Sequence, residues 1–248
     1  MEKAVILAGG RGVRFGTMSE ELPKPMAAIE GKPILHYIIS ILRSMGLKQL
    51  YIIVGYKKEI VIDYFGQGRE YGLNIEYLDN SGVNDPKKNG LSDAVLLLKN
   101  VINEPFLTIL GDEIYAGTKH GAMLKEFEKN EECESMIAVH RTANPEEVRK
   151  NYAVKVDTSW NITDLEEKPK TPWNDLIGCG TYIFRESIFR YIEQTSVSER
   201  SRRKELADTL KCIINDKKIV RAFEIGGKYL NINFAEDMLT ARKIIVGK

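Results

Sequence analysis

The sequence predicts an α/β protein of three layers, α/β/α, with a mostly parallel mixed sheet, helices on both faces and a small β-rich extension from its second half. Three observations predict it. Apolar runs of strand length alternate with segments of helical periodicity through the first half. The first run, Ala4-Val5-Ile6-Leu7, passes straight into a glycine-rich turn. A later run, Phe106 to Leu110, ends in Gly111-Asp112. Such alternation builds parallel sheets through crossover helices and places ligands outside the carboxyl ends of the strands.

Taken in order, the first half gives strands near residues 3–8, 50–54, 74–78 and 105–110. Between the first two, Pro33 suits the opening position of a helix; Ile34, Leu35, Ile38, Ile39, Leu42 and Met45 fall on one stripe, and Gly46 ends it. Ser92 is placed to cap a further helix covering Ala94 to Lys99. Just before it, Asp85-Pro86-Lys87-Lys88-Asn89-Gly90 reads as a charged, turn-rich surface loop whose place at a helix start leaves room for a ligand role. From about residue 135 the pattern shortens into strands at Met136 to His140, Ala153 to Val156, Ile162 to Glu166, Gly180 to Phe184 and Ile219 to Ile225. Helices are expected near 186–194 and 203–215, and from Ala235 toward Ile245. No repeat, low-complexity tract or linker divides the chain. It reads as one domain, 1–248, with halves of about 1–118 and 119–248.

Composition narrows the function. Thirty-six basic and 35 acidic residues leave a net charge of +1 over 248 residues, so no overall field draws a polyanion and any anion site must be local. Nucleic acid and anionic membranes are thereby excluded as partners. Glycines break the N-terminal apolar run too early for a signal sequence, and no apolar stretch reaches membrane-spanning length, so a cytoplasmic protein is expected. Cys133, Cys179 and Cys212 are odd in number and far apart, which suggests neither a disulfide framework nor a zinc site. His36, His120 and His140 are scattered, and His36 reads as a packed side chain of its helix.

The turn Gly9-Gly10-Arg11-Gly12-Val13-Arg14, followed by Pro23-Lys24-Pro25, reads as the local anion site, its alternative being a tight turn whose arginines merely solvate it. Glycines let the backbone approach a ligand because no Cβ intervenes. Arg14 offers a planar fork for phosphate oxygens and Lys24 a mobile point charge, a combination suited to a triphosphate. Two other glycine-loop chemistries fail on spacing. A dinucleotide fingerprint needs G-x-G-x-x-G and an acidic end to the second strand, whereas the glycines here are Gly10, Gly12 and Gly16 and the strand Tyr51 to Val54 ends in Gly55-Tyr56. A phosphate-binding P-loop needs Gly-Lys-Ser/Thr, and Gly31-Lys32 is followed by Pro33.

Asp112, at a carboxyl strand end, suits Mg²⁺, which takes one or two protein oxygens and completes its shell with water and phosphate; a Gly-Asp pair also makes an ordinary turn. Glu167-Lys168-Pro169 closes another strand with an acid and a base, fit to turn toward a cleft or to stand as surface charge.

These motifs, in this order and spacing, resemble those of the sugar-1-phosphate nucleotidyltransferases, and the resemblance spans nearly the whole chain. The family opening L-A-G-G-x-G-T-R-L and its P-K-P are matched by Leu7 to Phe15 and Pro23 to Pro25, with Val13 in place of Thr. Its Gly-Asp, Glu-Lys-Pro and G-x-Y are matched by Gly111-Asp112, Glu167-Lys168-Pro169 and Gly180-Thr181-Tyr182. The resemblance implies a Rossmann-like fold and transfer of a nucleotidyl group, from dTTP or UTP, to a sugar 1-phosphate with Mg²⁺ and release of pyrophosphate.

Residue by residue, it implies that Leu7, Ala8, Gly9, Gly10, Arg11 and Gly12 hold the nucleotide, with Asn89 and Gly90 near the base. Arg14, Lys24 and Lys168 would be the catalytic cations. Glu167, Gly180 and Tyr182 would serve the sugar, joined by two positions that depart from the thymidylyltransferases: Glu113 for Asn and Ala153 for Gly. Asp112 would hold the metal, and Asn231 stands where the family carries its second metal carboxylate, with Asn233 as neighbour and rival. An amide oxygen still suits a hard cation but removes one negative charge. Homo-oligomers are common among such enzymes, though no interface patch is legible here. Two other readings share parts of the pattern: a cytidylyltransferase acting on a non-sugar phosphate or phosphonate, and a catalytically silent nucleotide-binding homologue.

Overall fold

The computed structural model describes residues 1–10, 12–16, 18–80 and 90–247. In chain order its strands are β1 Lys3–Leu7, β2 Ala28–Ile29, β3 Lys32–Pro33, β4 Gln49–Val54, β5 Asn74–Asp79, β6 Phe106–Leu110 and β7 Glu113–Ala116. They continue with β8 Cys133–Arg141, β9 Tyr152–Val156, β10 Ile162–Glu167, β11 Leu176–Phe184, β12 Ile219–Glu224 and β13 Lys228–Asn231. The helices are α1 Met18–Glu21, α2 Ile34–Ser44, α3 Lys58–Phe65, α4 Leu91–Leu96, α5 His120–Glu128, α6 Pro145–Lys150, α7 Ile188–Gln194, α8 Leu206–Asn215 and α9 Asp237–Val246. The result is a mixed α/β fold with a mostly parallel central sheet and helices packed around it.

The described residues group into two compact units. The first draws on Glu2–Gly82, Thr108–Thr118 and Gly227–Lys248. Its parallel ladder pairs β1 with β4, Lys3 opposite Gln49 through Leu7 opposite Ile53, and β4 with β5. The end of β6, Thr108–Leu110, adds beside β1. β1 and β4 are apolar almost throughout because both faces are covered, whereas β5 carries Asn74, Glu76 and Asp79 exposed. In α2, the predicted stripe Ile34, Leu35, Ile38, Ile39 and Leu42 is buried, Pro33 stands just ahead of the helix in extended conformation, and Gly46, at φ +80°, ends it. A small antiparallel pair, β7 with β13, completes this unit.

The second unit draws on Met1, Val83–Leu107 and Lys119–Gly226. Here β8 runs antiparallel to β11 and parallel to β12, while β9 pairs antiparallel with both β11 and β10. Phe106, at the start of β6, stacks on Phe189 of α7 at 5.8 Å and tilts against Phe184 of β11 at 5.9 Å. The expected cap of α4 is corrected: Gly90, not Ser92, stands at the N-cap, where Asp93 accepts its N–H at 3.2 Å. Ser92 is fully buried and shares a hydrogen bond with Thr209 of α8 at 3.0 Å, so packing overrides its capping preference. Among the described residues no helix is long and apolar enough to cross a membrane.

Candidate active site

In the first unit the glycine turn is shaped by residues that approach without side chains. A Cβ on Gly55 would stand 2.6 Å from the Gly9 carbonyl oxygen, and one on Gly111 would stand 3.0 Å from that of Leu7. Backbone bonds fasten the same crossings: Tyr56 N–H to Gly9 O at 3.4 Å, Gly111 N–H to Leu7 O at 3.0 Å and Ala8 N–H to Ile53 O at 2.9 Å. Leu7 and Ala8 thus commit backbone groups to holding the turn. Gly10 is exposed, with open space where a side chain would begin.

Gly12, at φ +66°, opens the single turn Val13–Phe15, which Phe15 anchors at 1% exposure. Arg14 stands exposed on that turn with its guanidinium carbon 5.9 Å from the centre of the Phe234 ring, a contact that orients it without consuming its hydrogens. A Cβ at Gly12 would lie 2.8 Å from Cβ of Lys24, so this glycine makes room for the lysine stem. Lys24 is 7% exposed, and its Nζ donates to Asp112 Oδ2 at 2.6 Å. A buried ammonium demands such a partner.

Asp112 keeps a third of its side chain exposed, and its carbonyl accepts the N–H of Ile232 at 3.0 Å. Asn231 therefore arrives next to it by strand pairing, directly opposite Glu113. Asn233 bonds from its side chain to the Asn231 carbonyl at 3.4 Å. Asp237 accepts the N–H groups of Asn233 and Phe234 at 2.7 and 2.9 Å, which ties down the start of α9. Glu113 is 1% exposed; Tyr115 donates a hydroxyl to its Oε2, and Tyr229 donates to Oε1 at 2.7 Å. Each oxygen of this carboxylate thus accepts a phenol. No cluster of three or more His, Cys, Asp or Glu arranged for a metal occurs among the described residues. Asp112 and Asn231 supply hard oxygens on adjoining positions of paired chain, a donor set that fits Mg²⁺ with water and phosphate completing the shell.

In the second unit β10 ends at Glu167, opposite Tyr152, and Lys168 N–H donates to Asn151 O at 2.8 Å. Lys168 is exposed and holds a left-handed backbone, φ +52°, immediately before Pro169. That conformation is disfavoured for a side-chain-bearing residue and more so before proline. Glu167 is flanked by carboxylates. Burial and then Glu205 push it up to about 7, against the opposing pull of Lys168 and Arg200. Arg200 bridges the acids, 3.0 Å from Glu205 and 3.9 Å from Glu167. Ala153 pairs with Glu166 on one side and Ile177 on the other and is fully buried. Tyr182 is 3% exposed and stacks between Phe184 and Tyr152. A Cβ on Gly178 would meet the Tyr152 ring at 1.9 Å, which is why this strand carries glycine there. Gly180 is buried on the same strand, and Gly90 is pressed against the Lys204 backbone.

The structure thus gathers Leu7 to Gly10, Gly12, Arg14, Lys24, Asp112, Glu113 and Asn231 in the first unit. Gly90, Ala153, Glu167, Lys168, Gly180 and Tyr182 belong to the second. Arg11 and Asn89 lie outside the described residues. Sequence reading missed Gly55, the tyrosines on Glu113, and the Arg200–Glu205 pair beside Glu167. Of these only Gly55 carried a signal, as a glycine directly after a strand.

The sequence profile described as nucleotidyl transferase matches residues 3–231. The chain belongs to the nucleotidyl transferase family. Within it, the chain is 36% identical over 246 residues to the bifunctional protein GlmU of Methanocaldococcus jannaschii, covering 99% of this chain and 54% of that protein. The chain spans about half the length of the GlmU proteins it matches. It is 31% identical over 237 residues to the UTP–glucose-1-phosphate uridylyltransferase AglF of Haloferax volcanii, covering 95% of this chain and 93% of that one. Among solved structures, UDP-glucose pyrophosphorylase complexed with UDP-glucose superposes with a TM-score of 0.84 at 24% identity, covering 100% of this nucleotidyl transferase and 99% of that chain. That likeness establishes a shared Rossmann-like fold.

Proposed function

We propose that the chain transfers the nucleotidyl group of UTP or dTTP to a sugar 1-phosphate, releasing pyrophosphate and giving a nucleotide-sugar. The observation that carries this reading is the ion pair of buried Lys24 with Asp112, 2.6 Å long, at a glycine turn whose Gly12 makes room for the lysine. The name of the AglF relative, which specifies UTP and glucose 1-phosphate, supports the choice of base and acceptor.

Two polyanions must meet in this reaction. Like unit charges about 4 Å apart repel by roughly 4 kcal/mol at an effective dielectric near 20, and several such pairs accumulate. Fixed cations placed in advance remove that barrier, and the acceptor phosphate is already an anion, so neither a general base nor a covalent intermediate is required. Arg14 and Lys24 neutralise the triphosphate and align it. Lys168 holds the acceptor phosphate and Glu167 the sugar hydroxyls, with Ala153, Gly180 and Tyr182 as the packed wall behind them. Asp112 and Asn231 are the residues that would hold Mg²⁺, which when bound supplies charge neutralisation at the phosphates.

Pyrophosphate release, measured for each nucleoside triphosphate against a panel of sugar 1-phosphates with and without Mg²⁺, tests the reading. Turnover confined to UTP or dTTP with a sugar 1-phosphate and dependent on Mg²⁺ is the expected result. Release with CTP and phosphocholine or a phosphonate alone, or no release with any pair, overturns it.

A further inference from the structure

Glu113 is buried to 1% exposure beside the residues assigned to the metal, and the reaction above gives it no task. We propose that Glu113 is a positioning residue: through the hydroxyls of Tyr115 and Tyr229 it locks the register of β13 against β7 and so holds Asn231 beside Asp112 for the divalent cation, a role that rests on the nucleotidyl-transfer reading. Four side chains make the device. Tyr115 and Tyr229 face each other across the strands, as do Glu113 and Asn231, so the alternation of a β-strand puts all four on one face. The two rings lie 5.3 Å apart and both hydroxyls converge on the one carboxylate.

Register is the quantity at stake. β13 is only four residues long and pairs with β7 in an isolated two-stranded sheet, an arrangement of marginal stability in itself. A slip of one residue would take Asn231 from opposite Glu113 and break the bond from Ile232 N–H to the Asp112 carbonyl. The far end is pinned by close approach, since a Cβ on Gly227 would stand 2.5 Å from the Ala116 carbonyl oxygen. The near end carries the metal-side residues, and there the two phenol–carboxylate bonds, that of Tyr115 buried and that of Tyr229 part-buried, are the lock. Beyond them Ile232 N–H reaches the carbonyl of Asp112, so the pairing that Glu113 enforces ends at the other oxygen donor's own residue.

Tyr229→Phe removes one hydroxyl and keeps the ring; Glu113→Gln keeps the shape and removes the charge. Mn²⁺ binding, followed by electron paramagnetic resonance with a non-hydrolysable UTP analogue present, is expected to weaken roughly 10-fold in each, as for other residues that orient a metal ligand. The KM for sugar 1-phosphate should stay at the wild-type value, and raised Mg²⁺ should restore kcat. Because the effect runs through Asn231, adding Tyr229→Phe to Asn231→Ala should cost nothing further. Variants that bind Mn²⁺ as wild type does, or losses that add to that of Asn231→Ala, overturn the lock and leave the nucleotidyl-transfer reading standing. A raised sugar-phosphate KM in Glu113→Gln with unchanged Mn²⁺ affinity also overturns it and makes Glu113 a sugar contact. A wild-type chain that binds no Mn²⁺ and releases no pyrophosphate overturns both.

Discussion

Lys24 uses one of its three ammonium hydrogens on Asp112, and among the described residues no other partner claims the rest. In the proposed reaction a triphosphate oxygen is the acceptor for them. Lys24→Met, which keeps the buried stem and deletes the charge, is expected to lower kcat/KM for the triphosphate about 100-fold, in line with the loss of one transition-state donor. Steady-state kinetics within a few-fold of wild type would contradict that role. Arg14 and Lys168 should separate by substrate. Arg14→Ala is expected to impair turnover of the triphosphate, whereas Lys168→Ala should chiefly raise the KM of the sugar phosphate; two variants with unaltered constants for both substrates would remove these assignments. At this scale the sequence disclosed what lies within a motif. Gly12, Lys24 and Asp112 were legible because glycine and strand-end positions restrict where such side chains go. The partners of Glu113 and Glu167 were not, since Tyr229 stands 116 residues from Glu113 and Arg200 belongs to a loop with no motif of its own.

The element best declared by its sequence is α2. Its five buried apolar residues repeat at helical spacing, and Gly46 supplies the positive φ that ends it. Ile38 is fully buried there, so Ile38→Ala should cost about 3 kcal/mol, the usual toll for emptying an aliphatic core position, read as a lowered urea midpoint by circular dichroism. A midpoint equal to wild type would mean that α2 does not cover the core. Strands β1, β4 and β6 were equally plain because burial on both faces writes a continuous apolar run. β7 and β13 escaped notice: each has four residues, and Lys228-Tyr229-Leu230-Asn231 does not look like a buried strand. The cap of α4 was misread for a different reason. Serine at a helix start usually accepts a backbone N–H, but Ser92 meets Thr209 from 117 residues away, a contact invisible to local pattern.

For the whole chain the net charge of +1 makes general repulsion a weak function of pH near neutrality, which leaves the few perturbed groups to set how stability varies. Glu167, pushed up from 4.5 to about 7 chiefly by burial, keeps in the folded state a proton that the unfolded chain releases. Its contribution therefore favours folding at low pH and is lost as pH rises through about 7. Asp208, raised by burial, acts in the same sense. His120, driven by burial from 6.5 down to about 4, refuses a proton that the unfolded chain accepts, so its contribution grows as pH rises toward 6.5. His36 and His140, also lowered by burial, join it. Between pH 4.5 and 6.5 the Glu167 and His120 slopes oppose each other, and above that the Glu167 loss continues to about pH 7. Glu167→Gln deletes the Glu167 part of the falling slope. Trp160 and Trp173, the chain's two tryptophans, both belong to the second unit with Glu167 and His120, so their fluorescence during urea unfolding reports on the right region. The stability of Glu167→Gln relative to wild type is expected to improve by about 3 kcal/mol between pH 4.5 and pH 8, the worth of the Glu167 displacement. A difference between the two proteins that stays constant over that range would show that Glu167 is not held protonated by its surroundings, and with it would go the account of a desolvated carboxylate crowded by Glu205.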